Sequence, residues 1–150
     1  MELTDEIRIA APQDAVYRAL NDPDVLRACI PGCEDLIQHS PEHLEAKVVL
    51  KVGPVKARFS GDVTLDNSKA PDGFSLTGEG KGGAAGFAKG GADVTLVADG
   101  DETVLSYTAK VDVGGKIAQL GSRLIAGTAK KLSGKFFDSF ADIVAEQFVD

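Results

Sequence analysis

From Glu34 to Val113 apolar residues recur at every second position. At Gly114-Gly115 the period changes to 3.6 and keeps that value to the chain end. Few architectures accept such a pattern. In the first regime Leu44, Ala46, Val48, Leu50 and Val52 alternate with Glu45, Lys47 and Lys51. Past the Gly53-Pro54 turn, Val55, Ala57, Phe59, Gly61, Val63 and Leu65 alternate with Lys56, Arg58, Ser60, Asp62 and Thr64. Further strands begin at Phe74 and Leu76, at Ala92, Val94 and Leu96, and, after the Asp99-Gly100-Asp101 turn, at Leu105, Tyr107, Ala109, Val111 and Val113. Each has one dry face, as an antiparallel sheet with one wet side requires. In the second regime Ile117, Leu120, Leu124, Ile125, Leu132, Phe136, Phe140 and Ile143 recur mostly three or four apart, which predicts a long C-terminal helix.

Ahead of Glu34, Leu3, Ile7 and Ile9 alternate with Glu2, Thr4, Glu6 and Arg8 as a half-buried strand that Ala11-Pro12 ends. Pro12 and Asp14 open a short helix through Val16, Ala19 and Leu20. Asp22 caps a second with Pro23 at its first position, and Pro31-Gly32 stops it. The order is therefore strand, two short helices, about six antiparallel strands and a long helix, an α+β layout. A helix of about 50 Å, at 1.5 Å per residue, is the only element left to cover the dry face. The sheet must wrap that helix. The inward positions Ala46, Ala57, Gly61, Ala92 and Ala109 are too small to fill the gap between a curved sheet and one helix, so an apolar cavity is expected.

The whole of 1–150 reads as one domain, long enough to bury a core without metals or disulfides. With 23 acidic residues against 16 basic ones, a net charge of −7 and no Trp, the chain repels phosphate backbones and lacks stacking platforms, so nucleic-acid binding is not expected. No apolar run approaches the roughly 18 residues that span a bilayer, and the first residues lack the pattern of a signal peptide. The expected location is cytoplasmic.

Half of the residues from Gly78 to Gly91 are Gly. Gly78, Gly80 and Gly83 formally satisfy G-x-G-x-x-G, but a strand follows where a dinucleotide site needs a helix, and no Gly-Lys pair precedes Ser or Thr. A mobile hairpin rim around a cavity is the expectation. Cys29 and Cys33 are separated by three residues and straddle a helix end. With His39 and His43 they count as four zinc-ligand types, but the histidines flank a hairpin turn at the far end of a strand. Free thiols are favoured over zinc or a reversible disulfide. No metal site and no catalytic residue are assigned: inward polar groups reduce to Tyr107 and Asp5, which make no acid-base pair. By strand and helix phase the candidate cavity lining is Leu50, Phe59, Phe87, Tyr107, Leu120 and Leu124.

The C-terminal helix carries Lys116, Arg123, Lys130, Lys131 and Lys135, then Asp138, Asp142, Glu146 and Asp150. This order opposes the helix dipole. Lys116, Arg123 and Lys130, spaced by seven, form a candidate stripe for an acidic partner or lipid headgroups. Gly121, Gly127 and Gly134 within the helix point to close approach or a kink.

The element order resembles the helix-grip fold of the START and Bet v 1-like superfamily. Within it, Asp22-Pro23, Cys29-Ile30-Pro31-Gly32-Cys33-Glu34, Val52-Gly53-Pro54-Val55-Lys56, the run from Gly80 to Gly90, and the run from Gly114 to Arg123 together resemble CoxG, a carbon monoxide dehydrogenase subunit family, over almost the whole chain. The resemblance implies a non-enzymatic accessory protein with no required cofactor. Such a protein binds a quinone or lipid in its cavity and assists maturation, membrane recruitment or electron transfer of a molybdenum hydroxylase. Relatives that anchor to membranes do so through a C-terminal extension. This chain stops at Asp150, so the expectation is peripheral contact with the inner face of the membrane. A cyclase or hydrolase built in the same cavity, and a pure recruitment factor, are the alternatives.

Overall fold

The computed structural model describes residues 1–147, and the elements follow the expected order. They are β1 (Glu2–Ile9), α1 (Gln13–Leu20), α2 (Pro23–Cys29), β2 (Cys33–Ser40), β3 (His43–Val52), β4 (Val55–Asp66), β5 (Gly73–Lys81), β6 (Phe87–Asp99), β7 (Glu102–Gly114) and α3 (Ser122–Glu146). Asp22 caps α2 as its position predicts, its carboxylate accepting from the Asp24 N–H at 2.9 Å. The strands form one antiparallel sheet in the order β1-β7-β6-β5-β4-β3-β2. Consecutive hairpins build β2 to β7. The α1–α2 connection carries the chain between the two edges, so that β1 pairs with β7. With α3 against its dry face, this is the helix-grip arrangement.

Two boundaries differ from the expectation. The Gly-rich segment is mostly paired strand: Gly78 lies opposite Gly90 and Gly80 opposite Ala88 in the β5–β6 ladder, and only residues 82–86 form the connection. Glycine is needed in that turn, because Gly83 and Gly86 have φ of 59° and 114°. The long helix starts later than the apolar period. Lys116–Leu120 is a separate 3-10 turn, and Gly121, at φ 97° and ψ 149°, breaks it from α3. Gly127 and Gly134 do not mark helix-to-sheet contact, since a Cβ at either would meet nothing within 4 Å. Asp150 lies outside the described residues.

The densest core joins Ile9, Val16, Leu105, Phe140 and Val144, each at most 1% exposed. Thr103 is fully buried among them, and its hydroxyl donates to the Ala11 carbonyl at 2.7 Å. The two buried residues of α3, Phe140 and Val144, both belong to its C-terminal half. A smaller cluster of Val52, Phe59, Ala85 and Ile117 closes the opposite end. Between the two clusters the N-terminal half of α3 lies over space that the sheet does not fill.

Candidate functional site

The pairing register explains that space. Ala46 lies opposite Gly61, Gly61 opposite Gly80, and Gly80 opposite Ala88. Four neighbouring strands thus place their smallest residues in one row on the face toward α3. A Cβ built on Gly80 would find no atom nearer than 4.0 Å, and one on Gly61 none nearer than 3.8 Å. Above the row is a chamber of about 270 Å³, closed by Val48, Leu50 and Phe59 on the sheet and by Ile125, Ala129 and Leu132 on α3. A second chamber of about 220 Å³ continues toward the main core, between Leu44, Val63 and Phe74 on one side and Phe136 and Phe137 on the other. Ala46 borders both. On the helix the lining passes from Leu132 to Phe136, about 6 Å along the axis. The two chambers lie next to each other beneath α3 with Ala46 in both walls, and are together called the channel.

The channel is dry. Among the side chains lining either chamber, only Thr128 carries an oxygen or nitrogen, and its hydroxyl already donates to the Leu124 carbonyl at 2.9 Å. Among the described residues no buried side-chain polar atom lacks a partner. Such a lining offers shape and dispersion to a ligand, with no acidic or basic side chain in it.

Of the residues chosen from strand and helix phase, Leu50 and Phe59 line the first chamber. Tyr107 faces the same side but stacks on Phe137, with ring centroids 5.1 Å apart at 18°, behind the second chamber's wall. Leu120 packs on the Val52 and Phe59 cluster from the 3-10 turn. Phe87 and Leu124 are corrections. The uninterrupted β6–β7 register puts Ala88 inward, so the alternation turns Phe87 outward, where it is 39% exposed and its ring covers Gly114. Leu124 sits one position off the Ile125, Ala129 and Leu132 stripe, is 38% exposed, and reaches the β3–β4 turn at Gly53. The seven-residue basic stripe is also broken: Lys116 belongs to the 3-10 turn before Gly121, and only Arg123 and Lys130 share α3. Asp5 is exposed on β1. Gly80, Ala88, Ile125, Thr128, Ala129 and Leu132 were missed as lining. The helical four share one face by spacing, whereas Gly80 and Ala88 follow only from the cross-strand register.

His39 and His43 stack on the wet face of the β2–β3 hairpin, their rings 4.9 Å apart. His39 meets Glu45 at 2.8 Å, and His43 pairs with Asp62. Cys29 is buried and Cys33 half-buried, and both are free. Burial pushes both thiols above their ordinary range; at Cys33 a backbone hydrogen bond at Asp35 and the nearby Arg27 charge partly oppose this. Among the described residues no three His, Cys, Asp or Glu side chains gather into a metal-binding group. No helix among them is long and apolar enough to cross a membrane.

Two open clefts share walls with the first chamber, one on each flank of α3. The larger, about 670 Å³, has Met1, Val111, Val113 and Ile125 in common with it and carries Asp112 and Arg123. The other, about 450 Å³, has Leu50, Thr128 and Leu132 in common with it and carries Lys51, Lys131 and Lys135.

The family model for CoxG, described as a carbon monoxide dehydrogenase subunit, matches residues 6–145. A conserved protein from Geobacillus kaustophilus superposes with a TM-score of 0.91 at 28% identity, covering 97% of this chain and 96% of that one. A START superfamily protein from Mycobacterium smegmatis gives 0.66 at 14% identity, covering 97% and 95%. An aromatase/cyclase from a Streptomyces species gives 0.74 at 11% identity, covering 99% and 96%. The last two show a shared fold. No curated protein matches the chain significantly.

Proposed function

The chain belongs to the CoxG family of carbon monoxide dehydrogenase subunits. On that premise we propose that it is a non-enzymatic accessory protein that carries a quinone or another lipid in the channel beneath α3. In this reading it serves a molybdenum hydroxylase of the carbon monoxide dehydrogenase type, in maturation, membrane recruitment or electron transfer. The observation that carries the reading is the lining: two adjoining chambers whose one side-chain polar group is already bonded within its own helix. Burying about 300 Å² of hydrocarbon there gains roughly 7 kcal/mol before association costs, enough for useful affinity without polar contacts. A quinone's carbonyl oxygens find no side-chain donor with a free proton in this lining, so its ring belongs at a mouth and its isoprenoid tail inside. The channel offers an enzyme no side-chain acid or base, which favours a carrier over the cyclase or hydrolase alternative.

Thermal unfolding with short-chain and long-chain quinones tests the proposal. A dose-dependent rise in melting temperature that grows with tail length is expected. No shift with any quinone or fatty acid would remove the carrier reading and leave the recruitment factor.

A further inference from the structure

The two chambers differ in access. The first shares walls with both open clefts, whereas the second shares no lining residue with either, and its lining meets that of the first at Ala46 alone. The inward residues of β3 are Leu44, Ala46, Val48, Leu50 and Val52, so the smallest of them stands at the boundary. Gly61, opposite Ala46 on β4, adds no side chain there. On the helix side the boundary falls within the single turn between Leu132 and Phe136.

The second chamber ends on a block of rings. Phe136 meets Phe137 edge-on at 5.0 Å and stacks on Phe140 at 6.0 Å, while Phe137 stacks on Tyr107 at 5.1 Å. Phe140 is fully buried, which anchors the block in the main core. Close-packed rings of this kind do not turn aside for more ligand, so the length of chain that fits is finite. An apolar cavity of about 150 Å³ takes a six-carbon ring, about 25 Å³ per carbon. On that scale the first chamber, about 270 Å³, takes about eleven carbons, and the second, about 220 Å³, about nine more.

We infer that Ala46 is a specificity-determining residue of the channel: its small side chain keeps open the threshold past which an apolar chain enters the second chamber, so that the site takes one chain of up to about twenty carbons instead of about eleven. The inference rests on reading the channel as an apolar-ligand carrier, and the experiment separates the two. Octanol, undecanol and tetradecanol displace a bound neutral naphthylamine probe from the full chain, Ala46→Leu, Ala46→Val and Gly80→Val. Each methylene that finds a dry site tightens binding about fourfold, so tetradecanol binds the full chain on the order of sixtyfold more tightly than undecanol. In Ala46→Leu the two alcohols bind about equally, while octanol, which needs only the first chamber, keeps most of its affinity. Ala46→Val, of a residue type suited to strands, lowers the ratio less and keeps the test open if the leucine variant does not fold. Gly80→Val narrows the first chamber away from the threshold and keeps the full ratio. An undiminished ratio in both Ala46 variants, or an equal loss of it in Gly80→Val, overturns the inference. Undecanol matching tetradecanol in the full chain also overturns it, confining the ligand to the first chamber and keeping the carrier. A full chain that takes up neither probe nor any alcohol removes the carrier reading itself.

Discussion

Replacing Gly80 by Val should make the protein more stable and a poorer carrier at the same time. Gly80 sits one residue before the end of β5 in the small-residue row, outside the left-handed region, and the nearest atom to an added Cβ is the Ala88 carbonyl oxygen at 4.0 Å. The three added carbons therefore enter the chamber without displacing protein. At about 0.8 kcal/mol per buried carbon they contribute about 2 kcal/mol, and removing a strand glycine adds about 0.5 kcal/mol, with valine's lost rotamer freedom taking back a similar amount. A net gain of about 1–2 kcal/mol should raise the melting temperature of the ligand-stripped chain by about 4 °C. The same carbons occupy ligand space, and losing three methylene contacts weakens binding of an apolar probe about thirtyfold. Calorimetry on stripped protein and a fluorescence titration read the two effects. A destabilised Gly80→Val with unchanged probe affinity would refute the claim that this row creates the cavity.

Gly90, ten residues on in the same Gly-rich run, should behave oppositely: a Cβ there would sit 2.0 Å from the Lys110 carbonyl oxygen, so Gly90→Ala should cost more than about 2 kcal/mol in a urea titration. Thr103→Val leaves the Ala11 carbonyl without its donor in a fully buried site and should cost about 1–3 kcal/mol, with Thr103→Ser recovering much of it. Both thiols are raised by burial above their ordinary value of 9.0, so they hold protons in the folded chain at pH values where the unfolded chain has released them. Their contribution to stability is complete below about pH 9 and is lost as pH rises through the folded values. Alkylation at neutral pH should be slow until urea unfolds the chain, and a Cys29→Ala, Cys33→Ala variant should show a flatter loss of stability above about pH 9.

Element order was legible because period two and period 3.6 leave different marks, and because Pro12, Asp22-Pro23 and Gly53-Pro54 punctuate the chain where the elements end. The break at Gly121 was hidden: Ile117 and Leu120 keep the helical spacing while belonging to a 3-10 turn, whose threefold repeat resembles it locally. The Gly-rich run reads as a mobile hairpin rim because glycine signals turns. Its glycines are instead small inward residues, or close approaches such as Gly90, within paired strands. Leu50 and Phe59 were found because strand phase is reliable over a long uninterrupted strand. Phe87 was not, since it stands at the first residue of β6, five positions from Ala92, where the two-residue alternation turns it to the opposite face. The cavity's origin needed the register, because Ala46, Gly61, Gly80 and Ala88 become one row only when four strands are aligned.

The central claim is that the channel beneath α3 holds an apolar molecule. Native mass spectrometry of the full chain, purified without detergent and followed by solvent extraction of the same sample, tests it most directly. One apolar adduct per chain is expected, removed by organic solvent and retained in smaller proportion by Gly80→Val. A spectrum at the bare chain mass, an empty extract, and no adduct after incubation with a quinone or fatty acid would contradict it.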